Sequence, residues 1–266
     1  MKLFDPIPLR TIPPNAITAT AMAFGLASIH QSLTGEPNVY NAAWFILISM
    51  LLDKLDGSLA RAIKGSTEFG VQFDSFADSV AFGAAPAALV YTVATTMAPQ
   101  VWGHGQTLLG LPAHHVAGGL ALAYAVLTAV RLARFNVMTA VLGPYLFLGL
   151  PSTLSGGLLA SGFLASLECG LLRSWPAFYA WLPIMLLING LLMVCNLPLP
   201  KLKMSKRLPW RVAQIVAAVA IYGVVPLQKG FWVVTVLLTA YLAVGFTYLG
   251  PRMWAAVKRE AAQPDA

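Results

Sequence analysis

Residues 40–61 read Tyr40-Asn-Ala-Ala-Trp-Phe-Ile-Leu-Ile-Ser-Met-Leu-Leu-Asp53-Lys-Leu-Asp56-Gly57-Ser-Leu-Ala60-Arg61. From Tyr40 to Leu52 the stretch carries no charge; two aspartates and a lysine then enter within about one helical turn, with no proline to break the run. A run of this length and apolarity reads as a helix able to span hydrocarbon, for which about 20 residues are needed. Acids inside such a helix are costly and are kept for function. The stretch therefore points to a helical membrane fold and marks where chemistry should lie.

The same apolar character recurs outward from it, from residue 16 to residue 250. Of the 266 residues, 58% are hydrophobic and 10% charged, whereas a soluble domain carries about 25% charged residues. The bilayer is the solvent for this chain, and the fold class is all-α, since helices satisfy their own backbone polar groups in lipid. Eight membrane segments are predicted, at about 16–33, 40–62, 72–97, 115–136, 146–167, 176–197, 209–227 and 230–250. Glycine, proline and polar clusters such as Gly35-Glu36-Pro37-Asn38 separate most of them. Cys169 and Cys195 lie in or beside apolar runs with no partnering pattern and read as small apolar fillers.

The basic residues set the orientation. With the N-terminus in the cytoplasm, Lys2, Arg10, Arg61, Lys64, Arg131, Arg134, Lys201, Lys203, Lys206, Arg207, Arg211, Arg252, Lys258 and Arg259 fall on the cytoplasmic side. Only Arg173 and Lys229 fall opposite, and Lys54 lies within segment two. This bias predicts an even segment count and cytoplasmic termini in the cell membrane. Reading Lys2, Arg10 and the following apolar stretch as a signal peptide would leave an odd count and invert the bias. The basic residues are neither patched nor interleaved with aromatics, so no nucleic-acid partner is expected.

Ten residues are acidic, and each one embedded in an apolar segment falls in a single cluster: Asp53, Asp56, Asp74 and Asp78. Asp53 and Asp56 are three apart and Asp74 and Asp78 four apart, so each pair shares a helix face. The short connection, about residues 62–71, makes the two helices antiparallel neighbours whose carboxylates converge near the cytoplasmic ends. Four carboxylates there repel one another unless a positive charge sits among them. Pairing one of them with Lys54 would serve a single aspartate but not four. Oxygen ligands without His or Cys favour Mg²⁺, Mn²⁺ or Ca²⁺, and four acids on two helices suit two ions and phosphoryl chemistry on a pyrophosphate. Gly57 and Gly70 leave room for a base or a phosphate, or else pack helices closely; Ala60 keeps the same face open. Arg61, one turn past Asp56, can bind phosphate. An ion-coupled transporter could also bury acids, but residues 146–250 hold no counterpart of this cluster.

The stretch from Asp53 to Asp78 follows D-x2-D-G-x2-A-R-x8-G-x3-D-x3-D without departure, and so resembles the CDP-alcohol phosphotransferase family. The resemblance implies a six-helix core over residues 1–200, with 201–266 adding two helices and a cytoplasmic tail. It implies that Asp53, Asp56, Asp74 and Asp78 hold two Mg²⁺ or Mn²⁺ ions, with Asp78 also the general base. It implies further that Gly57, Ala60, Arg61 and Gly70 line the nucleotide pocket, and that the chain is a homodimer. Pro14-Asn15-Ala16-Ile17-Thr18 resembles the family's Pro-Asn-x-x-Thr element beside the CDP-lipid, contributing Asn15 and Thr18; read without the family, Asn15 is a helix cap.

Three further blocks resemble the membrane-integral phosphatidylserine synthases within that family: Phe73 to Pro86, Arg131 to Val137, and Gly149-Leu-Pro151. They imply CDP-diacylglycerol and L-serine as substrates. A serine zwitterion needs a cation for its carboxylate, and Arg131 and Arg134, three apart, are the basic residues of segment four. The same arginines could snorkel to headgroups or bind a phosphorylated acceptor, so glycerol 3-phosphate, choline and inositol phosphate stay open as acceptors at this point.

Overall fold

The computed structural model of the protein describes residues 9–63, 65, 67–142, 146–200 and 208–254. The positions read above at Lys2, Lys64, Lys201, Lys203, Lys206, Arg207, Lys258 and Arg259 lie outside the described residues. Eight principal helices follow among the described residues: α1 (Ile12–Leu33), α2 (Val39–Ala62), α3 (Glu68–Met97), α4 (Ala113–Leu142), α5 (Ser152–Glu168), α6 (Leu182–Val194), α7 (Leu208–Leu227) and α8 (Phe231–Trp254). Of these, α1, α3, α4 and α8 are long and apolar enough to cross a membrane, and α6 and residues Gln214–Leu227 of α7 are shorter apolar helices. The long helix α2 carries Asp53, Lys54 and Asp56 within its apolar run, and α5 has 17 residues, about 26 Å at 1.5 Å per residue. Leu122, Val126 and Val137 on α4 and Val219 on α7 are 70%, 61%, 79% and 66% exposed. Aliphatic surface on that scale suits lipid rather than water, and the chain is a polytopic helical membrane protein.

The helices are held by two means. Small residues let α1 run close to its neighbours: Ala21, Gly25, Ser28 and Ser32 are buried, and a Cβ on Gly25 would lie 2.8 Å from Ala81 Cα. Larger side chains fill the centre, with Ile46 and Leu47 of α2, Phe82 and Leu89 of α3, Tyr124 of α4, Leu164 of α5 and Leu186 and Met193 of α6 almost fully buried. The chain turns at capped helix ends. Asn38 accepts from the Asn41 N–H at 3.0 Å to open α2, and Thr67 accepts from the Gly70 N–H at 3.1 Å to open α3.

Helices α7 and α8 join this body directly. The Trp44 indole donates to the Val225 carbonyl at 2.7 Å. Glu168, closing α5, accepts from the Gly230 and Phe231 N–H groups at 2.7 and 2.8 Å and so caps α8.

Two sequence expectations are corrected. Segment five does not begin at 146: Leu146–Leu148 is a strand paired antiparallel with Pro198–Pro200, and the helix starts only at Ser152. The reason is local, because Gly149 takes a left-handed backbone (φ +76°) and Pro151 follows it, a pair that breaks helix. Segment one begins at Ile12, with Pro13 and Pro14 in its first turn where their missing N–H groups cost nothing. Asn15 is therefore already inside α1 and is not its cap.

Candidate active site

The aspartates converge from the C-terminal part of α2 and the N-terminal part of α3, which the five-residue connection 63–67 joins and against both of which α1 packs. Oxygens of Asp53, Asp56 and Asp74 all lie within 4.8 Å of one another. Asp78 lies one turn beyond Asp74 on α3 and is tied to the same end of α5 as Asp53, through Ser152 and Thr153 respectively. Lys54 is exposed and forms no ion pair with the cluster among the described residues. Carboxylates this close repel strongly unless a cation intervenes. The donor set is all oxygen, converging and partly buried, which fits a hard divalent cation.

Three of the four carboxylates, those of Asp53, Asp56 and Asp78, have a hydroxyl anchor. Thr18 of α1 donates to Asp56 Oδ2 at 2.6 Å. Thr153 of α5 donates to Asp53 Oδ2 at 3.3 Å, and Ser152 donates to Asp78 Oδ2 at 3.1 Å. The first two residues of α5 thus serve one aspartate from each helix. Directly after Asp78 the backbone of α3 widens into a π-helical stretch, Ser79–Ala84, a feature common at functional sites. The Tyr124 hydroxyl donates to the Phe82 carbonyl in this stretch at 2.9 Å.

Beside the carboxylates lies a cleft of about 190 Å³ between α1, α2 and α3. Asn15, Thr18, Asp56, Gly57, Ala60, Arg61, Gly70 and Asp74 all line it, so the residues expected at the nucleotide share one cavity with two of the acids. Pro14, Gly65, Thr67 and Val71 complete the wall. At neither glycine would a Cβ meet the backbone or an apolar side chain of a neighbouring helix. A Cβ on Gly57 would meet only the Arg61 guanidinium at 3.4 Å, and one on Gly70 the Asn15 and Thr67 side-chain oxygens at 3.3 Å. Gly156 and Gly157 behave otherwise, since a Cβ there would strike Phe82 and the Met50 sulfur of neighbouring helices.

The two arginines of α4 part company. Arg134 donates to the carbonyls of Val194 at 2.6 Å and Cys195 at 3.3 Å, closing the C-terminal end of α6. Arg131 is buried, stacks over the Phe135 ring at 5.1 Å, and donates from Nη1 to Ser152 Oγ at 3.0 Å. Arg131 thus reaches Asp78 through one hydroxyl. The hollow shared by Arg131, Arg134, Phe135, Met138 and Leu148 measures about 10 Å³, room for about one water. Sequence reasoning missed Ser152 and Thr153, although they directly follow the Gly149-Leu-Pro151 block. Two hydroxyls after a helix-opening proline were the available signal.

Comparison with known proteins agrees with this geometry. The CDP-alcohol phosphatidyltransferase family model matches residues 11–202. A Helicobacter pylori protein named CDP-diacylglycerol–serine O-phosphatidyltransferase is 33% identical over 138 residues, 52% of this chain and 51% of its own length. Proteins of the same name from Mycobacterium leprae (28% over 257 residues, 94% of this chain and 78% of the relative) and Bacillus subtilis (34% over 143 residues, 54% and 70%) are also similar. The chain thus matches about half the length of the Helicobacter protein and more of the other two. Because the family match runs without a break from the first turn of α1 past α6 and takes in every aspartate of the cluster, the chain belongs to the CDP-alcohol phosphatidyltransferase family.

Proposed function

We propose that the protein transfers the phosphatidyl group of CDP-diacylglycerol to the hydroxyl of L-serine, giving phosphatidylserine and CMP. The observation that carries this reading is the opening of the α1–α2–α3 cleft onto the converged carboxylates, together with the names of the relatives. In this reading the eight helices all cross the cell membrane, residues 1–200 form the reacting core, and the cleft and both termini face the cytoplasm.

The cytidine and pyrophosphate occupy the cleft, where Gly57, Ala60 and Gly70 present little side chain and Arg61 supplies a positive charge. Thr18 holds Asp56 in place from α1. Asp53, Asp56, Asp74 and Asp78 would hold two Mg²⁺ or Mn²⁺ ions, whose chemistry is to neutralise the pyrophosphate and its leaving phosphate. The serine hydroxyl attacks the phosphorus that carries the diacylglycerol. Its proton passes to Asp78, the bond from that phosphorus to the bridging oxygen breaks, and CMP departs with the electron pair. Arg131, whose guanidinium has donors to spare beyond the one given to Ser152, receives the serine carboxylate; Arg134 holds the end of α6 beside it.

The test is purified protein given CDP-diacylglycerol, Mg²⁺ or Mn²⁺ and a panel of acceptors. Serine should be converted fastest, with choline and ethanolamine poor for want of a carboxylate. Faster conversion of glycerol 3-phosphate or choline would overturn serine as the acceptor.

A further inference from the structure

We propose that Ser152 is a positioning residue that fixes Asp78 for proton transfer, with Arg131 setting the direction of its hydroxyl; this rests on the reading of Asp78 as the base. The donor directions follow from the chemistry of the groups. A guanidinium has donors and no acceptor, so in the 3.0 Å contact Arg131 Nη1 donates and Ser152 Oγ accepts. The one hydroxyl proton of Ser152 is then free for Asp78 Oδ2, 3.1 Å away. One lone pair of Asp78 Oδ2 is thereby taken and the carboxylate plane fixed, while its remaining lone pairs stay available to metal and to the reacting alcohol.

The surroundings favour a directed role over a helix cap. Ser152 opens α5, where a serine hydroxyl ordinarily turns back to satisfy a free N–H of its own helix. Here the cap position is Pro151, no side chain caps the helix, and the hydrogen bonds of the Ser152 hydroxyl go to α4 and α3. Ser152 is fully buried, and Arg131 and Asp78 are 8% and 9% exposed, so water does not compete freely for these bonds. Asp78 also sits where α3 passes from α-helical to π-helical backbone. The tether supplies from α5 an orientation that does not depend on that change of register.

The experiment compares Ser152→Ala, Ser152→Thr and Asp78→Asn in the full-length detergent-purified enzyme. Ser152→Ala should lower kcat by about 10- to 150-fold, the range for a hydrogen bond to a charged group. The KM for CDP-diacylglycerol and the half-activating Mn²⁺ concentration should change little. Tm falls under either role because two buried groups lose a partner, so kcat is read well below the Tm of the variant, where a merely structural role would leave it intact. Ser152→Thr, which keeps the hydroxyl, should restore most of the turnover. Should Ser152→Ala not yield folded protein, Ser152→Cys, a weak donor of similar size, should give a kcat between wild type and Asp78→Asn. Full kcat in the alanine variant, a loss confined to Tm or KM, or a threonine or cysteine variant no better than the alanine or Asp78→Asn level would overturn the role of Ser152. The base reading would survive any of these provided Asp78→Asn stays inactive. An active Asp78→Asn would instead overturn the base reading itself.

Discussion

The two sides of the aspartate cluster are built differently. Asp56 and Asp74 face the cleft, where the neighbouring side chains are small and Arg61 is exposed. Asp53 and Asp78 turn toward α4 and α5 and are anchored by Thr153, by Ser152 and, behind Ser152, by Arg131. One side keeps space for a ligand, and the other spends its space on holding carboxylates still. The proposed reaction must both bind a large nucleotide and aim a base, and under it the helices divide the work: α1 to α3 form the receptacle, α4 and α5 the support.

The largest effects should come from substitutions that ignore this division. Asp53→Asn on the supported side and Asp74→Asn on the cleft side should each lower turnover by orders of magnitude while leaving the protein folded, because both belong to the converged group. Normal turnover in either would break the view of the cluster as one unit.

Next in size, Arg131 and Arg134 should separate. Arg131→Ala should raise the KM for serine by about 10- to 150-fold and also lower kcat by loosening the Ser152–Asp78 bond, with a much smaller change in the KM for CDP-diacylglycerol. Arg134→Ala should act mainly on stability by freeing the Val194 and Cys195 carbonyls, read as a lower Tm. Matching effects of the two on the KM for serine would return Arg134 to the acceptor site.

A smaller effect should fall on the receptacle alone. Thr18→Val removes the 2.6 Å donor to Asp56 and should weaken use of CDP-diacylglycerol by about tenfold, with the KM for serine little changed. Smaller still in its effect on the fold, Gly57→Ala should leave Tm near wild type, since a Cβ there meets only the flexible end of Arg61, yet raise the KM for the CDP-lipid. Gly157→Ala should do the reverse, lowering Tm through its clash with Met50. Equal behaviour of the two glycines would erase the distinction between cleft and packing positions.

The receptacle was legible in the sequence because its parts lie close together along the chain. The residues from Asp53 to Asp78 form one motif on two adjacent helices, and helical spacing alone brings each pair of acids to a shared face. The support was not legible, because its contacts join distant segments: Ser152 and Asp78 are 74 residues apart, and Thr153 and Asp53 are 100 apart. A serine after a proline reads equally well as a helix cap, and only tertiary packing decides which N–H or carboxylate it meets. The arginines show the same limit. Their spacing put both near the cytoplasmic end of one helix, but not that one would close the end of α6 and the other turn inward. The start of α5 was misplaced for a backbone reason, the left-handed Gly149, that hydropathy does not register.

In the proposed reaction the clustered aspartates hold divalent cations that make phosphatidyl transfer to serine possible. The most direct measurement is serine-dependent CMP release from CDP-diacylglycerol by the purified protein, in EDTA and then with Mg²⁺ or Mn²⁺ restored. Turnover should be absent in chelator, recover with either ion in the wild type, and fail to recover in Asp53→Asn or Asp74→Asn. Full CMP release in the presence of EDTA would contradict that role of the cations.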